Sequence, residues 1–161
     1  MAYTNQHHFF DDLQIGQKWE SSERAITGDD VASFAGLSGD FNPMHMDHQF
    51  AAATPFRQPI AHGLLVQAVA SGLGLSSPLV RTVAVISLKE WHYRLPVFFG
   101  DTIKVRNQVL TIEPKSRGRR GLVTWKREII NQEGKVVQEG VAETLVEGRG
   151  EKGVPANGPG E

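Results

Sequence analysis

The sequence predicts an α+β fold in which an antiparallel β-sheet wraps around one long central α-helix. Residues 62–75 are small and apolar on nearly every side, a run too long for one buried strand and typical of a buried helix. After it, β-branched and aromatic residues alternate with polar ones over four segments, which predicts four strands. These segments are residues 82–95, 101–112, 121–131 and 135–146. Residues 131–134, Asn-Gln-Glu-Gly, predict a tight hairpin between the last two.

The first third of the chain predicts shorter elements. A short strand is expected before Ile26, and Thr27 followed by Asp30 has the spacing of a capping box, which predicts a helix over residues 29–37. Glycine and proline are frequent over residues 38–59, so we expect loops there, with one short helix near residues 47–53.

Length and composition indicate one domain. The chain has 161 residues and a mass of 17.7 kDa, and we expect a single folded domain over residues 1–146. Residues 147–161 contain five glycines and two prolines, which predicts a disordered tail. There is no cysteine, no secretion signal and no apolar run that could span a bilayer, so we expect a cytoplasmic protein without membrane contact. A net charge of -1 gives no electrostatic reason to bind nucleic acid.

One segment carries residues suited to acid–base chemistry. Asp40 and His45 lie five residues apart with Pro43 between them, so a turn and not one continuous helix is expected to join them. Imidazole titrates near neutral pH and a carboxylate can hold a shared water. A purely structural reading stays open, in which Asp40 caps a turn and His45 is a partly buried polar residue.

The segment Phe-Ala-Gly-Leu-Ser-Gly-Asp-Phe-Asn-Pro-Met-His, residues 34–45, resembles the signature of the MaoC-like dehydratases and (R)-specific enoyl-CoA hydratases. Residues 59–64, 70–72 and 95–101 extend the resemblance over most of the chain. It implies a hotdog fold, a homodimer or an assembly of dimers, and no cofactor. The implied activity is that of a hydro-lyase, the reversible hydration of trans-2-enoyl-CoA to (R)-3-hydroxyacyl-CoA, with coenzyme A or acyl carrier protein holding the thioester.

The resemblance also implies site residues. Asp40 and His45 would hold the catalytic water, Gly63 would offer its backbone N–H to the thioester carbonyl, and Ser71 would lie nearby. A helix N-terminus suits that role because its partial positive charge stabilises an enolate oxygen. Without the resemblance, Gly63 is equally a packing glycine and Ser71 is equally bonded back to its own helix.

Other polar residues have two readings. Asn42 would either orient Asp40 or form an Asx-turn, and His62 would either contact substrate or hold the loop. His45 and His48 have a spacing that suits a metal, but no third ligand is indicated, so no metal is expected. The basic turn at residues 114–121 would bind phosphate groups of coenzyme A or would simply be solvated.

Two other functions remain open at this point. A hotdog thioesterase would bind the same acyl-CoA but direct water to the carbonyl carbon. A non-catalytic acyl-thioester-binding module would need the fold without the Asp40 and His45 pair.

Overall fold

The computed structural model describes residues 4–150, in which an antiparallel six-stranded sheet faces one central helix. The strand order is β1-β4-β5-β6-β3, and β2 pairs with β4. The strands are β1 (Lys18–Glu20), β2 (Arg24–Ala25), β3 (Thr82–Tyr93), β4 (Thr102–Lys115), β5 (Arg120–Asn131) and β6 (Val136–Glu147). The α-helices are α1 (Gly28–Ser38), α2 (Pro43–Met46), α3 (His48–Ala52) and α4 (Gly63–Gly74). The predicted sheet around one buried helix is therefore confirmed.

The main core lies between α4 and the sheet. Val66 and Ala70 of α4 are almost fully buried and pack in one cluster with inward-facing residues of the long strands, Val105, Ile129 and Val137. The small side chains of α4 allow the helix to approach the sheet closely. One side of α4 stays exposed, however, at Leu64 and at the C-cap residue Leu75, so the helix is not covered on every side as its sequence indicated.

Local signals account for most element boundaries. Thr27 and Asp30 form both hydrogen bonds of the predicted capping box, and α1 ends at Gly39 in the left-handed region at φ 78°. In the hairpin between β5 and β6, Gly134 adopts a positive φ of 74° and its N–H donates to the carbonyl of Asn131. Helix α2 departs from the predicted loop, because Pro43 does not interrupt a helix but occupies its first turn, where proline needs no N–H partner.

The predicted tail is only partly covered by the structure. Glu147 is the last residue of β6, and the Arg149 guanidinium pairs with Asp12 at 2.9 Å. The remaining residues of the predicted tail, 151–161, lie outside the described residues, so the tail stays a prediction. None of the helices in residues 4–150 combines the length and apolar character that crossing a membrane requires.

Candidate active site

The loop after α1 and the short helix α2 bring Asp40 and His45 together. Gly39 turns the chain out of α1, Asp40 follows on the surface, and Pro43 starts the turn of helix that carries His45 inward. His45 is 7% exposed, and its Nδ1 lies 2.7 Å from the carbonyl oxygen of Ile60. Because a carbonyl only accepts, Nδ1 donates in that bond, which leaves Nε2 for another partner.

His62 completes a three-residue cluster. Its Nε2 lies 2.9 Å from the backbone carbonyl oxygen of Asp40, to which it donates a hydrogen bond. Its ring stacks on that of His45 with a centroid distance of 4.0 Å and on Phe34 at 5.0 Å. His62 therefore holds the loop that presents Asp40, a role that sequence reasoning offered as one of two readings.

The buried Nδ1 of His62 has no hydrogen-bond partner among the described residues. Ligand atoms of Asp40, His45 and His62 lie within 4.8 Å of one another, so these residues together form a group that could hold a metal ion. The two imidazole rings of this group stack with 33° between their planes.

The N-terminus of α4 opens into a cavity of about 480 Å³ beside His45. Most of the lining is apolar, and the lining side chains include Met44, Phe56, Ile60, Leu64, Val66, Leu95, Pro96 and Val97. No side chain caps α4, whereas α1, α2 and α3 are capped by Thr27, Asn42 and Asp47. The first amides of α4 are therefore available, together with the positive end of the helix dipole, to an oxygen bound in the cavity.

Gly63, the first residue of α4, is held in place by two side chains that local sequence signals did not reveal. Gln138 of β6 donates from Nε2 to the carbonyl of Gly63 at 2.9 Å, and the indole of Trp91 donates to Gln138 at 3.0 Å. A Cβ on Gly63 would lie 2.5 Å from the ring of Tyr93, so any larger residue there would require that ring to move. Gln138 and Tyr93 both line the cavity. They lie on strands far along the chain, and only the sheet register places them here.

Ser71 and Asn42 do not join this cavity in the described chain. Ser71 is exposed, eight residues and about 12 Å of helix axis beyond Gly63, and lines a separate cavity at the far end of α4. The Asn42 side chain accepts from the Met44 amide at 3.0 Å, which makes it the N-cap of α2. Its backbone amide donates to Asp40 Oδ1 at 3.2 Å. Asn42 thus supports the Asp40 loop through its backbone, and its side chain forms the Asx-turn.

The basic turn lies at the opposite end of the sheet from His45. It joins β4 to β5 at the end of the sheet where β3 begins, whereas the cavity next to His45 lies at the end where β3 finishes. Within one copy of the chain, this turn is therefore remote from the cavity.

A sheet wrapped around a central helix is the architecture of the hotdog fold, and here His45 and the uncapped N-terminus of that helix line one cavity. The MaoC like domain model matches residues 12–131, and the chain belongs to that family. The (R)-specific enoyl-CoA hydratase of Aeromonas caviae is 36% identical over 130 residues, covering 81% of this chain and 92% of that protein. The (R)-specific enoyl-CoA hydratase of Rhodospirillum rubrum is 34% identical over 143 residues, covering 89% and 94%.

A solved structure supports the same family and fold. The (R)-hydratase of A. caviae involved in PHA biosynthesis superposes with a TM-score of 0.69 at 32% identity, covering 84% of this chain and 97% of that one. The resemblance drawn from residues 34–45 and the hotdog fold are thus confirmed.

Proposed function

We propose that this chain is a hydro-lyase that catalyses the reversible hydration of trans-2-enoyl-CoA to (R)-3-hydroxyacyl-CoA. One observation carries the proposal: His45 and the uncapped N-terminus of α4 line one largely apolar cavity, and the Asp40 carboxylate lies within 4.8 Å of a His45 ring nitrogen. The hydratase names of the A. caviae and R. rubrum relatives support the same reaction.

The chemistry follows from where charge develops. When water adds to the β-carbon of an enoyl thioester, the thioester oxygen gains negative charge as an enolate. The amide of Gly63, at the positive end of α4, is suited to stabilise that oxygen. Asp40 and His45 hold the attacking water, take one of its protons and deliver a proton to the α-carbon, which completes the addition.

The surrounding contacts position these groups. The hydrogen bond from His45 Nδ1 to the Ile60 carbonyl directs Nε2 to the reacting water and leaves it able to exchange a proton. His62 keeps Asp40 in reach through the Asp40 carbonyl. In this scheme the side chain of Asn42 has only a structural role.

A homodimer is part of the proposal because β3 is an edge strand with an apolar surface. Among residues 4–150 it pairs with β6 alone, and its exposed large side chains include Val83, Val85, Ile86, Leu88 and Tyr93. Such an edge favours pairing with a second copy, and a two-fold axis would run the two β3 strands antiparallel. The first residue of β3 would then face the last residue of the partner's β3. This brings the Ser71 cavity of one subunit next to the His45 cavity of the other.

The decisive experiment is incubation with a panel of trans-2-enoyl-CoA thioesters. Loss of the conjugated absorbance reports hydration, and chiral separation of the products reports the (R) configuration. Release of free thiol in place of hydration would identify a thioesterase, and binding without turnover would identify a non-catalytic module. Comparing each acyl chain on coenzyme A and on acyl carrier protein identifies the carrier.

Two conservative substitutions test the assigned groups. Asp40→Asn and His45→Gln should each lower hydration by about 10²- to 10⁴-fold, because a positioned acid or base contributes that much. Asp47→Asn and His48→Gln are matched controls on exposed neighbours that do not line the His45 cavity, and should retain full activity. Full turnover in both Asp40→Asn and His45→Gln would refute the assignment.

The absence of cysteine in the sequence agrees with a reducing compartment, and we place the reaction in the cytoplasm. Fractionation of cells that express the protein checks this placement.

A further inference from the structure

The second cavity, at the C-terminal end of α4, has a volume of about 200 Å³ and contains a buried cation. Its lining combines apolar residues, among them Leu75, Pro78 and Val85, with the polar side chains of Asn107 and Arg127. The cation is the guanidinium of Arg127, on an inward-facing position of β5, and it is largely withdrawn from solvent.

Arg127 is held in a defined orientation. Its Nε donates to Asn107 Oδ1 at 2.9 Å, and Asn107 Nδ2 in turn donates to the carbonyl of Ser77 at 2.7 Å. Asn107 is 2% exposed and has both ends of its amide engaged. The guanidinium is thereby anchored at one edge, and its two terminal nitrogens make no hydrogen bond to any other described residue.

No carboxylate neutralises Arg127 within residues 4–150. Its strand neighbour Lys126 pairs with Glu128 at 2.7 Å, and Arg106 pairs with Glu20 at 2.7 Å. Burial lowers the pKa of Arg127, with no acid to oppose the effect. A buried cation without a counter-ion is costly unless a ligand supplies the negative charge.

The C-terminal end of α4 offsets only part of the positive charge of Arg127. The partial negative charge at a helix C-terminus favours a nearby cation, and Nη2 of Arg127 lies 3.6 Å from the position of a Cβ on Gly74. The carbonyls of Gly72 and Gly74, however, accept from the amides of Leu75 and Ser77, and Arg127 bonds to neither of them. N–H donors of the guanidinium are therefore available to a ligand in the cavity.

We propose that Arg127, oriented by Asn107, forms a carboxylate-binding site in this cavity. A guanidinium presents parallel N–H donors that match a carboxylate in two-pronged geometry. The small volume and the apolar walls suit a short carbon chain that ends in this group. Nothing in the hydration chemistry at Asp40 and His45 requires such a site, so it concerns substrate selection or regulation.

The carboxylate has two possible sources. If the chain is the proposed dimeric hydratase, the cavity lies beside the partner's His45 cavity, and the carboxylate is the far end of an acyl chain bound there. This step rests on the proposed function. The other source is a free dicarboxylate that binds independently of catalysis.

The kinetic arm compares hex-2-enoyl-CoA with the same chain carrying a terminal carboxylate. The measured quantity is the ratio of kcat/KM for the carboxylated substrate to kcat/KM for the neutral one. Arg127→Met should lower this ratio at least tenfold, because a hydrogen-bonded ion pair is lost. Lys126→Met removes the same charge from the outer face of the same strand and should leave the ratio unchanged.

A second variant guards against a folding defect. Gly74→Leu keeps Arg127 but fills the cavity from the end of α4, and it should lower the ratio as Arg127→Met does. Circular dichroism melting of each variant confirms that the folded protein is being compared.

The binding arm uses free adipate without substrate. Adipate that raises the melting temperature of the unmodified protein but not of Arg127→Met, while the kinetic ratio is the same in both, identifies a free acid as the ligand. An unchanged ratio in Arg127→Met and Gly74→Leu, together with no adipate effect, overturns the proposal. If neither thioester is hydrated, the proposed function fails, and the adipate arm alone decides the carboxylate site.

Discussion

Replacing Gly63 with alanine tests the start of α4 most directly. The added Cβ would lie 2.5 Å from a ring carbon of Tyr93, whereas carbon atoms in contact prefer about 3.5–4.0 Å. The ring must therefore retreat by about 1 Å. Tyr93 is 54% exposed, so it has room to move, and we expect a stability loss of about 1 kcal/mol, the low end for an overpacked site.

Gly63→Ala should lower the hydration rate more strongly than it lowers the stability of the fold. Gly63 and Tyr93 line the same cavity, and a displacement of about 1 Å at a reacting geometry can lower the rate about 10²-fold. We expect kcat/KM for enoyl-CoA hydration to fall by between about 10- and 100-fold. Hydration and urea unfolding are measured on one preparation, so the two effects can be compared directly.

Two further variants separate the causes. Gly36→Ala changes a glycine of α1 whose Cβ would meet nothing within 4 Å, so it should keep full activity and gain about 0.5–1 kcal/mol. In a Tyr93→Ala background, Gly63→Ala should lose its stability cost, because the colliding ring is gone. A Gly63→Ala protein that melts early yet turns over normally while folded would show that Gly63 only packs the core and would refute the reasoning.

Three other predictions follow from single contacts. His62→Phe keeps the stacking on His45 but removes the hydrogen bond to the Asp40 carbonyl, so kcat should fall about tenfold or more while KM changes little. An unchanged kcat would leave His62 a purely structural role. The hydrogen bond from the Thr27 backbone N–H lowers the pKa of Asp30, so Asp30→Asn should lower the free energy of unfolding by about 1 kcal/mol at neutral pH. This difference should vanish as acid protonates Asp30 below its usual pKa of 3.8. Unfolding free energies that differ equally at all pH values would contradict the prediction. Ile86→Glu places like charges near the middle of a β3–β3 interface and should shift light scattering from dimer to monomer, whereas an unaffected dimer would exclude that edge.

The Asp40 and His45 pair could be predicted because its geometry is local. Residues 40–45 follow Gly39 and contain Pro43, so they can form only a few turns, and those turns place the two side chains near one point. His62 lies 22 residues from Asp40 along the chain, and no periodic pattern links them. The motif made His62 a candidate, but its bond to the Asp40 carbonyl emerges only when α4 packs beside α1.

From the sequence alone, the central helix, the four long strands, the capped start of α1 and the hairpin at Gly134 could all be placed, because periodicity, caps and turns are properties of neighbouring residues. The sequence alone could not predict three other features. These are the separate cavity at Ser71, the contact of Gly63 with Tyr93 and Gln138, and the absence of an acid beside Arg127. Each of these depends on strand register, which sets residues from distant segments side by side. Register is chosen by the whole packed sheet, since the burial of many side chains, and not any local preference, determines which strand positions face one another.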